Sequence, residues 1–364
     1  MYLVTGSTGH LGANLVRRLL ADGHAVRVLL RPSSDEAALA GLAVERVYGD
    51  VRDPAACQDA VKGCRSVHHC AALVSTLDGD LRHRRELYEC NVLGTRNLLR
   101  AALEARVSRV VVSGSLSAVG HIPGQPVDES VPFDPFAWNL PYGVTKACVE
   151  HECLKAFADG LPVVVAVSCA VIGPHDYKPS RMGRTLIDFA NGKLWAYVPG
   201  GFEFVAASDM VQGHLLAMER GRPGQRYIFS SQFLTVDELL GIFEQVTGQP
   251  RPKLRLPGAL MQGIASLSDV VLRWFPRVPR RFTPGAVRLL RMQRRANCRK
   301  ACQELGYQPT PIAEAVREAY EWFVRRGLIA ARREPEAQAR ANRGACDALA
   351  CASGSESRRM GEGA

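Results

Sequence analysis

The chain has 364 residues, 47% of them hydrophobic, and a formal net charge of +10. That length allows two modest domains or one large α/β domain with an appended lobe, and that composition supplies a sizeable core. The charge is local: residues 251–300 hold 13 Lys/Arg against one acid, Asp269, so the remainder is slightly acidic and a general nucleic-acid role is a poor fit.

No uncharged apolar run of about 18 residues is present, so no spanning helix is expected. The first strand begins at residue 2 with no basic stretch before it, so no signal peptide is expected either. Eleven cysteines are scattered through the expected strands and helices. Two close pairs, Cys298/Cys302 and Cys346/Cys351, have no His or Cys partners at zinc spacing. Reduced thiols in a cytoplasmic protein, with no metal site, are the expectation.

Tyr2-Leu3-Val4 is an apolar strand. Thr5-Gly6-Ser7-Thr8-Gly9-His10-Leu11-Gly12 follows, and then an amphipathic segment to about Ala21. This reads as strand, tight turn, helix. Gly6 permits the sharp turn, Gly9 lets a phosphate approach the backbone, and Gly12 lets the helix pack close to the sheet. The helix N-terminus offers free N–H groups to an anion. Gly6, Thr8, Gly9, His10, Leu11 and Gly12 are therefore candidate dinucleotide contacts, although an ordinary strand–helix turn can carry the same pattern.

Residues 25–30 form a second strand ending at Arg31-Pro32-Ser33-Ser34. NAD sites usually place an acid there for the ribose 2′-hydroxyl. A guanidinium fork suits a 2′-phosphate instead, which leans the cofactor toward NADP(H); Arg31 stacked on adenine would leave NAD(H) open. Residues 44–48 make a third strand, followed by Gly49-Asp50-Val51-Arg52-Asp53. Asp50, with Val51 beside it, can accept from the adenine amino group, or it can cap the helix that starts near Pro54. Residues 66–70 form a fourth strand leading to Ala71-Ala72, small residues against which a cofactor can lie. His68 and His69 are adjacent in that strand and point to opposite faces, which argues against a shared metal.

Asn91 opens a helix running to about Ala105. Residues 109–112 are a buried strand ending in Ser113-Gly114-Ser115. A loop rich in Gly and Pro spans 120–141, and a helix headed by Tyr142 runs to about Asp159. Another strand covers 163–167, with Ile172-Gly173-Pro174 beyond. Six or seven strands alternating with helices give a doubly wound parallel α/β sheet over residues 1–174. Ligands bind at the carboxyl ends of such strands, where Gly6, Arg31, Asp50, Ala71 and Ser115 all fall.

Past residue 174 the alternation weakens. Ser208 is placed as the N-cap of a helix through Glu219, and Thr235 with Glu238 as a capping box for a helix to about Thr247. Thr310-Pro311 starts a further helix ending near Arg326. Residues 175–330 are expected to form a smaller mixed substrate lobe, with parts of 200–230 returning to the sheet. Residues 331–364, rich in Arg, Glu, Ala, Gly and Ser, are expected to be a disordered tail.

Tyr142 and Lys146 are four apart on one helix, so both side chains lie on one face. A phenol with pKa near 10 is a poor proton donor or acceptor at neutral pH. A neighbouring ammonium stabilises the phenolate and brings that pKa toward the working range. Lys146 can also hold the nicotinamide ribose, and Ser115 can donate to the substrate oxygen. The set suits hydride transfer between a nicotinamide and a carbinol carbon, whereas Tyr-x-x-x-Lys alone is often a solvated helix pair.

With these residues in place, positions 1 to about 328 resemble an extended short-chain dehydrogenase/reductase of the NAD(P)-dependent epimerase/dehydratase superfamily. The matching motifs are Thr-Gly-x-x-Gly-x-x-Gly at 5–12, Gly-Asp-Val-x-Asp at 49–53, Asn-Val-x-Gly-Thr at 91–95 and the Ile-Gly-Pro turn at 172–174, together with Ser115 and the Tyr142/Lys146 pair. Residues 28–34 and 213–217 are similar to the dihydroflavonol-reductase, 3β-hydroxysteroid-dehydrogenase and hopanoid-associated sugar-epimerase-like branch. The resemblance implies a Rossmann core with NAD(P)H. It makes Ser115 the group that polarises the carbonyl and Tyr142 the acid/base. Lys146 tunes that phenol, and Asn91 supports the active-site helix. A helix-end cap is the plain alternative for Asn91, and Ser113 is a minor alternative to Ser115. A homodimer is allowed. Cys169 stands where many sugar-nucleotide members carry proline, which counts against the epimerase reading.

The expected activity is reduction or oxidation at a ketone or secondary alcohol of a hydrophobic small molecule: aromatic, terpenoid, steroid-like or polyketide-like, as in secondary metabolism. The apolar stretch 258–275 motivates this as a pocket wall, with ordinary lobe core as its alternative. Together with the basic block 251–300 it would also suit weak association with an anionic membrane surface. Substrate contacts are expected at Val74, His121 and Ile172. A nucleotide-sugar epimerase or dehydratase with retained NAD is the second expectation. A non-catalytic dinucleotide sensor is the third, disfavoured because Tyr142 and Lys146 are both present.

Overall fold

The computed structural model describes residues 1–137, 139–256 and 284–330. The apolar stretch 258–275 and the 331–364 tail lie outside the described residues, as does the part of the basic block between 257 and 283. The first half of the chain alternates as the sequence pattern predicts. β1 (Tyr2–Thr5) leads through the glycine turn into α1 (His10–Ala21), followed by β2 (Val26–Leu30), β3 (Glu45–Tyr48), α2 (Pro54–Val61) and β4 (Ser66–His69). Next come α3 (Leu81–Tyr88), a π-helical turn (Glu89–Leu93), α4 (Gly94–Glu104), β5 (Arg109–Ser115), β6 (Pro126–Val127) and α5 (Pro141–Ala158). β7 (Val163–Ser168) and β8 (Ala170–Ile172) end this half.

Beyond them lie α6 (Arg181–Ala190), β9 (Ala196–Tyr197), β10 (Gly201–Ala206), α7 (Ala207–Glu219), β11 (Arg226–Phe229), β12 (Gln232–Thr235) and α8 (Val236–Thr247). β13 (Leu254–Arg255), α9 (Pro284–Met292), β14 (Arg295–Ala296), α10 (Arg299–Leu305) and α11 (Ile312–Arg325) complete the described chain.

Seven parallel strands form the main sheet in the order β11-β7-β5-β4-β1-β2-β3. The doubly wound Rossmann sheet is borne out. Both faces are covered by helices, which is why its central strands are continuous apolar runs rather than alternating ones. Val110, Val111 and Val112 in β5 and Val163 to Val167 in β7 are all buried. Strand order reverses between β1 and β4, and that reversal opens the crevice at the carboxyl edge.

A second core lies under the three-stranded sheet β12-β10-β8, where Ile172, Phe189, Phe204, Phe243 and Phe323 pack together. The chain returns from it to the main sheet: β11 pairs with β7, and Ala301, Leu305 and Tyr307 pack into the first core. Among the described residues no helix is long and apolar enough to cross a membrane.

Two helix starts differ from the sequence reading. β10 runs straight into α7, so Ala206 is the N-cap and Ser208 lies inside the helix. The capping hydroxyl comes from elsewhere: Ser231 Oγ accepts from the Ala206 amide at 3.2 Å and donates to Asp209 at 2.7 Å. Asp53 rather than Asp50 caps α2, accepting from the Ala55 amide at 3.0 Å. The Thr235/Glu238 capping box is formed as the spacing predicts.

The first turn is packed without room for a side chain. Gly6 has φ +67°, and a Cβ on Gly12 would fall 2.2 Å from the Gly6 carbonyl oxygen. Gly12→Ala must therefore push α1 off the turn. It is expected to lower stability by ~1–3 kcal/mol, read as a fall in thermal midpoint, and to weaken dinucleotide binding. An unchanged midpoint with unchanged binding would contradict this packing.

Candidate active site

The glycine turn is built as an anion cradle. Gly9 caps α1 with no side-chain hydrogen bond, and no acid stands in the first helical turn. Free amides and the positive end of the helix dipole are thus left facing the crevice. Ser7 Oγ is fully buried with no hydrogen-bond partner, an orphaned donor inside the same turn. A Cβ on Gly6 would sit 2.6 Å from the Ala71 amide, so the turn is seated directly against the end of β4, where Ala71 and Ala72 follow.

The other candidate cofactor residues are spread along the same edge. Arg31 is exposed at the end of β2. Asp50, at the end of β3, pairs with Arg52 at 2.8 Å, and that hydrogen bond holds its carboxyl below the usual range, with Arg31 adding to the effect. The Val51 carbonyl is taken by Cys57 Sγ and Asn97 Nδ2. His10 Nε2 donates to the Pro174 carbonyl at 3.0 Å, alongside Asn14 Nδ2 at 2.9 Å. The His10 side chain thereby ties α1 to the Ile-Gly-Pro turn, while Leu11 packs into the core and Thr8 is half-buried.

Beneath the turn a buried chain of polar groups fixes one histidine tautomer. Thr95 Oγ1 donates to the Asn91 carbonyl at 2.6 Å, so it must accept from His69 Nε2–H at 2.9 Å. His69 Nδ1 is then an acceptor for Thr5 Oγ1 at 2.7 Å, and Thr5 accepts in turn from the Ala71 amide. His68 points to the other face, toward His214.

At the reaction centre, α5 is laid against the end of β5. Lys146 Nζ donates to the Ser113 carbonyl at 2.8 Å, and Ser115 is the side chain that acts on the Tyr142 phenol. The spacings agree: two strand residues advance ~6.6 Å and four helical residues ~6 Å, so both pairs form at once. Pro141 at the first helical position pre-sets the helix start. Asn91 braces the arrangement from the side. Its Oδ1 accepts from the Leu73 amide at 2.7 Å, and its Nδ2 donates to the Leu73 carbonyl and to Thr145 Oγ1 at 3.1 Å. It lies within the π-helical turn, so it caps no helix.

The electrostatics differ from the sequence expectation. Burial pushes the Tyr142 phenol up to about 12, opposed by its Ser115 hydrogen bond, and Lys146 is not among the groups acting on it. Burial also pushes Lys146 down to about 8. The ammonium spends its hydrogen bond on the strand end, so desolvation is the larger effect on the tyrosine. Ser113 turns its hydroxyl to His214 Nε2 at 3.1 Å, which removes it from the substrate-orienting role.

Of the substrate candidates, Val74 is 69% exposed and Ile172 is 1% exposed. The Ile172 side chain is spent on the second core and presents no face to a substrate. His121 lines a cavity of about 310 Å³ with Val119, Gly120, Asp134, Arg288 and Arg294. Thr145, His214 and Arg294 were not singled out as site residues by the sequence reading. Each had an indirect signal: His214 inside the 213–217 segment that supported the resemblance, Arg294 inside the basic block 251–300, and Thr145 between Tyr142 and Lys146.

Burial, with Lys146 nearby, drives His69 and His214 down to about 3. The unfolded chain titrates these groups near 6.5, so it takes up protons that the folded chain refuses as pH falls from there. Stability from this source is fully present above pH 6.5 and declines below it. Urea midpoints measured from pH 8 to 5 are expected to drop below about 6.5, and more shallowly in His214→Asn. A flat profile across that window would contradict neutral buried histidines.

Comparison with known proteins shows what the chain is similar to. The model of the NAD dependent epimerase/dehydratase family matches residues 2–229. A sterol demethylase protein B of Methylococcus capsulatus is 46% identical over 328 residues, covering 90% of this chain and 99% of that protein. A 4-hydroxy-2-methyl-3-oxo-4-farnesyl-3,4-dihydroquinoline-1-oxide ketoreductase of Stigmatella aurantiaca is 32% identical over 314 residues, covering 84% and 90%. Among solved structures, the dTDP-glucose 4,6-dehydratase DesIV of Streptomyces venezuelae, with NAD and TYD bound, has a TM-score of 0.73 at 25% identity, covering 90% and 98%.

Proposed function

The chain belongs to the NAD-dependent epimerase/dehydratase family, and from that premise we propose that it is an NAD(P)-dependent oxidoreductase acting at a carbinol or ketone carbon of a hydrophobic, sterol-like molecule. The observation that carries the reading is the Tyr142 phenol placed to act with Ser115, one helical turn before Lys146, whose ammonium is fixed on the Ser113 carbonyl. The names of the sterol demethylase protein B and of the farnesylated-quinoline ketoreductase supply the substrate class.

The residues present fit a dinucleotide. The orphaned Ser7 hydroxyl, the Gly9 amide end of α1 and the alanines after β4 would hold the pyrophosphate and the backbone side of the cofactor. Arg31, exposed beside Asp50, favours a 2′-phosphate and hence NADP(H). The bound nicotinamide supplies or accepts the hydride at its ring carbon 4.

Ser115 and Tyr142 hold the substrate oxygen by two hydrogen bonds. Tyr142 gives its proton to that oxygen in reduction and takes it back in oxidation. With its pKa raised, the phenol stays protonated at neutral pH but is a weak acid, and it needs added positive charge beside it before it serves well as either donor or base. Lys146, held by the Ser113 carbonyl, is the ammonium that helical spacing places on the same face as Tyr142. Asn91 keeps α5 and the loop after β4 at fixed separation.

Tyr142→Phe is expected to cut turnover of a hydrophobic ketone by ~10²–10⁴-fold while cofactor affinity, read by nucleotide fluorescence, stays close to wild type. Undiminished turnover sinks the assignment. Running NADH and NADPH side by side also separates the two enzyme readings. A reductase consumes the nucleotide stoichiometrically, whereas an epimerase or dehydratase converts a nucleotide sugar with none consumed.

A further inference from the structure

The stripe of α5 that carries Tyr142 and Lys146 does not end at the lysine. Glu150 stands one turn further along, so positions 142, 146 and 150 follow one another on the same side of the helix. Side chains on a helix lean toward its N-terminus, which brings the Glu150 carboxylate back over the turn that holds Lys146. The side chain is enclosed, only 13% exposed. Its Oε2 accepts from Arg226 Nη1 at 2.6 Å, and its Oε1 is buried without a hydrogen-bond partner.

Arg226 is itself fixed. It opens β11, and its other donors go to backbone: Nε and Nη2 donate to the Glu129 carbonyl at 3.1 and 2.7 Å, and Nη2 also to the Val131 carbonyl at 3.0 Å. The Glu129 carboxylate accepts from the Ile228 amide of the same strand at 2.7 Å. The carboxylate at 150 is thereby held from the main sheet as well as from its own helix. A tie between α5 and β11 does not in itself call for charge, since a well-packed apolar pair avoids the dehydration of two ions. An unsatisfied buried oxygen adds to that cost.

What the charge faces is Lys146. Burial opposes the ammonium, and the groups that favour it are Cys153 on α5, Cys70 after β4, Glu150, and Cys90 in the π-helical turn. Burial pushes Cys70 up to about 11, Cys90 up, and Cys153 higher than Cys70, so these thiols stay neutral at working pH. His69 on β4 and His214 on α7 also face the lysine and are held neutral by burial. Of these groups Glu150 alone carries a charge. Burial raises its own carboxyl, and Arg226, Lys146 and His151 oppose that rise.

We propose that Glu150 is a positioning residue for Lys146: clamped by Arg226, its carboxylate is the fixed counter-charge that lets the lysine remain an ammonium inside the site. The consequence for turnover rests on the oxidoreductase reading, in which Tyr142 needs positive charge beside it, but the counter-charge itself is read without turnover.

The test is the titration of Lys146 by NMR in the full chain labelled with ¹³C-lysine, the signal assigned by its loss in Lys146→Met. Wild type is expected to titrate at about 8. Glu150→Gln, nearly isosteric and uncharged, is expected to titrate about one pH unit lower. Arg226→Met exposes the lysine to the full carboxylate charge and is expected to move the midpoint upward, which reads the same coupling if Glu150→Gln does not fold. Loosened packing alone would raise the midpoint in both variants, toward the value of about 10.4 of a solvated lysine. A midpoint unchanged or raised in Glu150→Gln, or unchanged in Arg226→Met, overturns the proposal. In Glu150→Gln the alkaline limb of the pH–rate profile is expected to move down with the lysine. A shifted lysine in a protein that transfers no hydride in either direction sinks the oxidoreductase reading instead and leaves the Glu150 assignment standing.

Discussion

The hydrogen bond from Lys146 to the Ser113 carbonyl sets the register on which the rest of the site depends. A buried ammonium must find an acceptor, and the end of a central strand offers a carbonyl whose position the sheet already fixes. Once that bond forms, the helix cannot slide along β5 without stranding a charge. Tyr142, one turn earlier, is then delivered to Ser115, two residues further along the strand. The Asn91 brace to Leu73 and Thr145 adds a second restraint from a different element. Together they explain why a site of few side chains can be held to the tolerance that proton and hydride transfer require.

The same edge joins two differently built halves. The glycine turn is seated on the end of β4 through contacts so close that only hydrogen is tolerated at Gly6 and Gly12. From α1, His10 and Asn14 reach the Pro174 carbonyl, where the chain leaves the main sheet for the second core. The sheet edge therefore has one wall whose geometry is dictated by the main sheet and one supplied by segments that follow Pro174. Arg294 belongs to the second wall, although β14 is anchored on β6 of the first.

Much of this was legible in the sequence because the informative features are local. The glycine spacing, the buried runs of β5 and β7 and the i, i+4 pair of Tyr142 and Lys146 each carry their meaning within a few residues, and the family relationship follows from them. What escaped was long-range. The Ser113–His214 and Asn91–Thr145 contacts join residues 101 and 54 apart and leave no periodic trace. Ser208 was misplaced as a cap because the hydroxyl that serves α7 belongs to Ser231, on the neighbouring strand connection. Ile172 looked like a pocket residue from its strand-end position, yet the second core claims it. The direction of the Tyr142 shift was also hidden, since spacing shows that an ammonium is near but not which acceptor it chooses.

The central claim is that the residue 142 hydroxyl is sequestered against Ser115 and acquires its reactivity only when further positive charge is added beside it. Titrating that phenol by NMR in protein labelled with ¹³C-tyrosine, free and loaded with NADP⁺, reads this directly. The account predicts a value well above the ordinary 10, near 12, in the free protein and a marked fall on loading. A phenol that titrates at its ordinary value in both states would place Tyr142 in solvent and away from the crevice, contradicting the account.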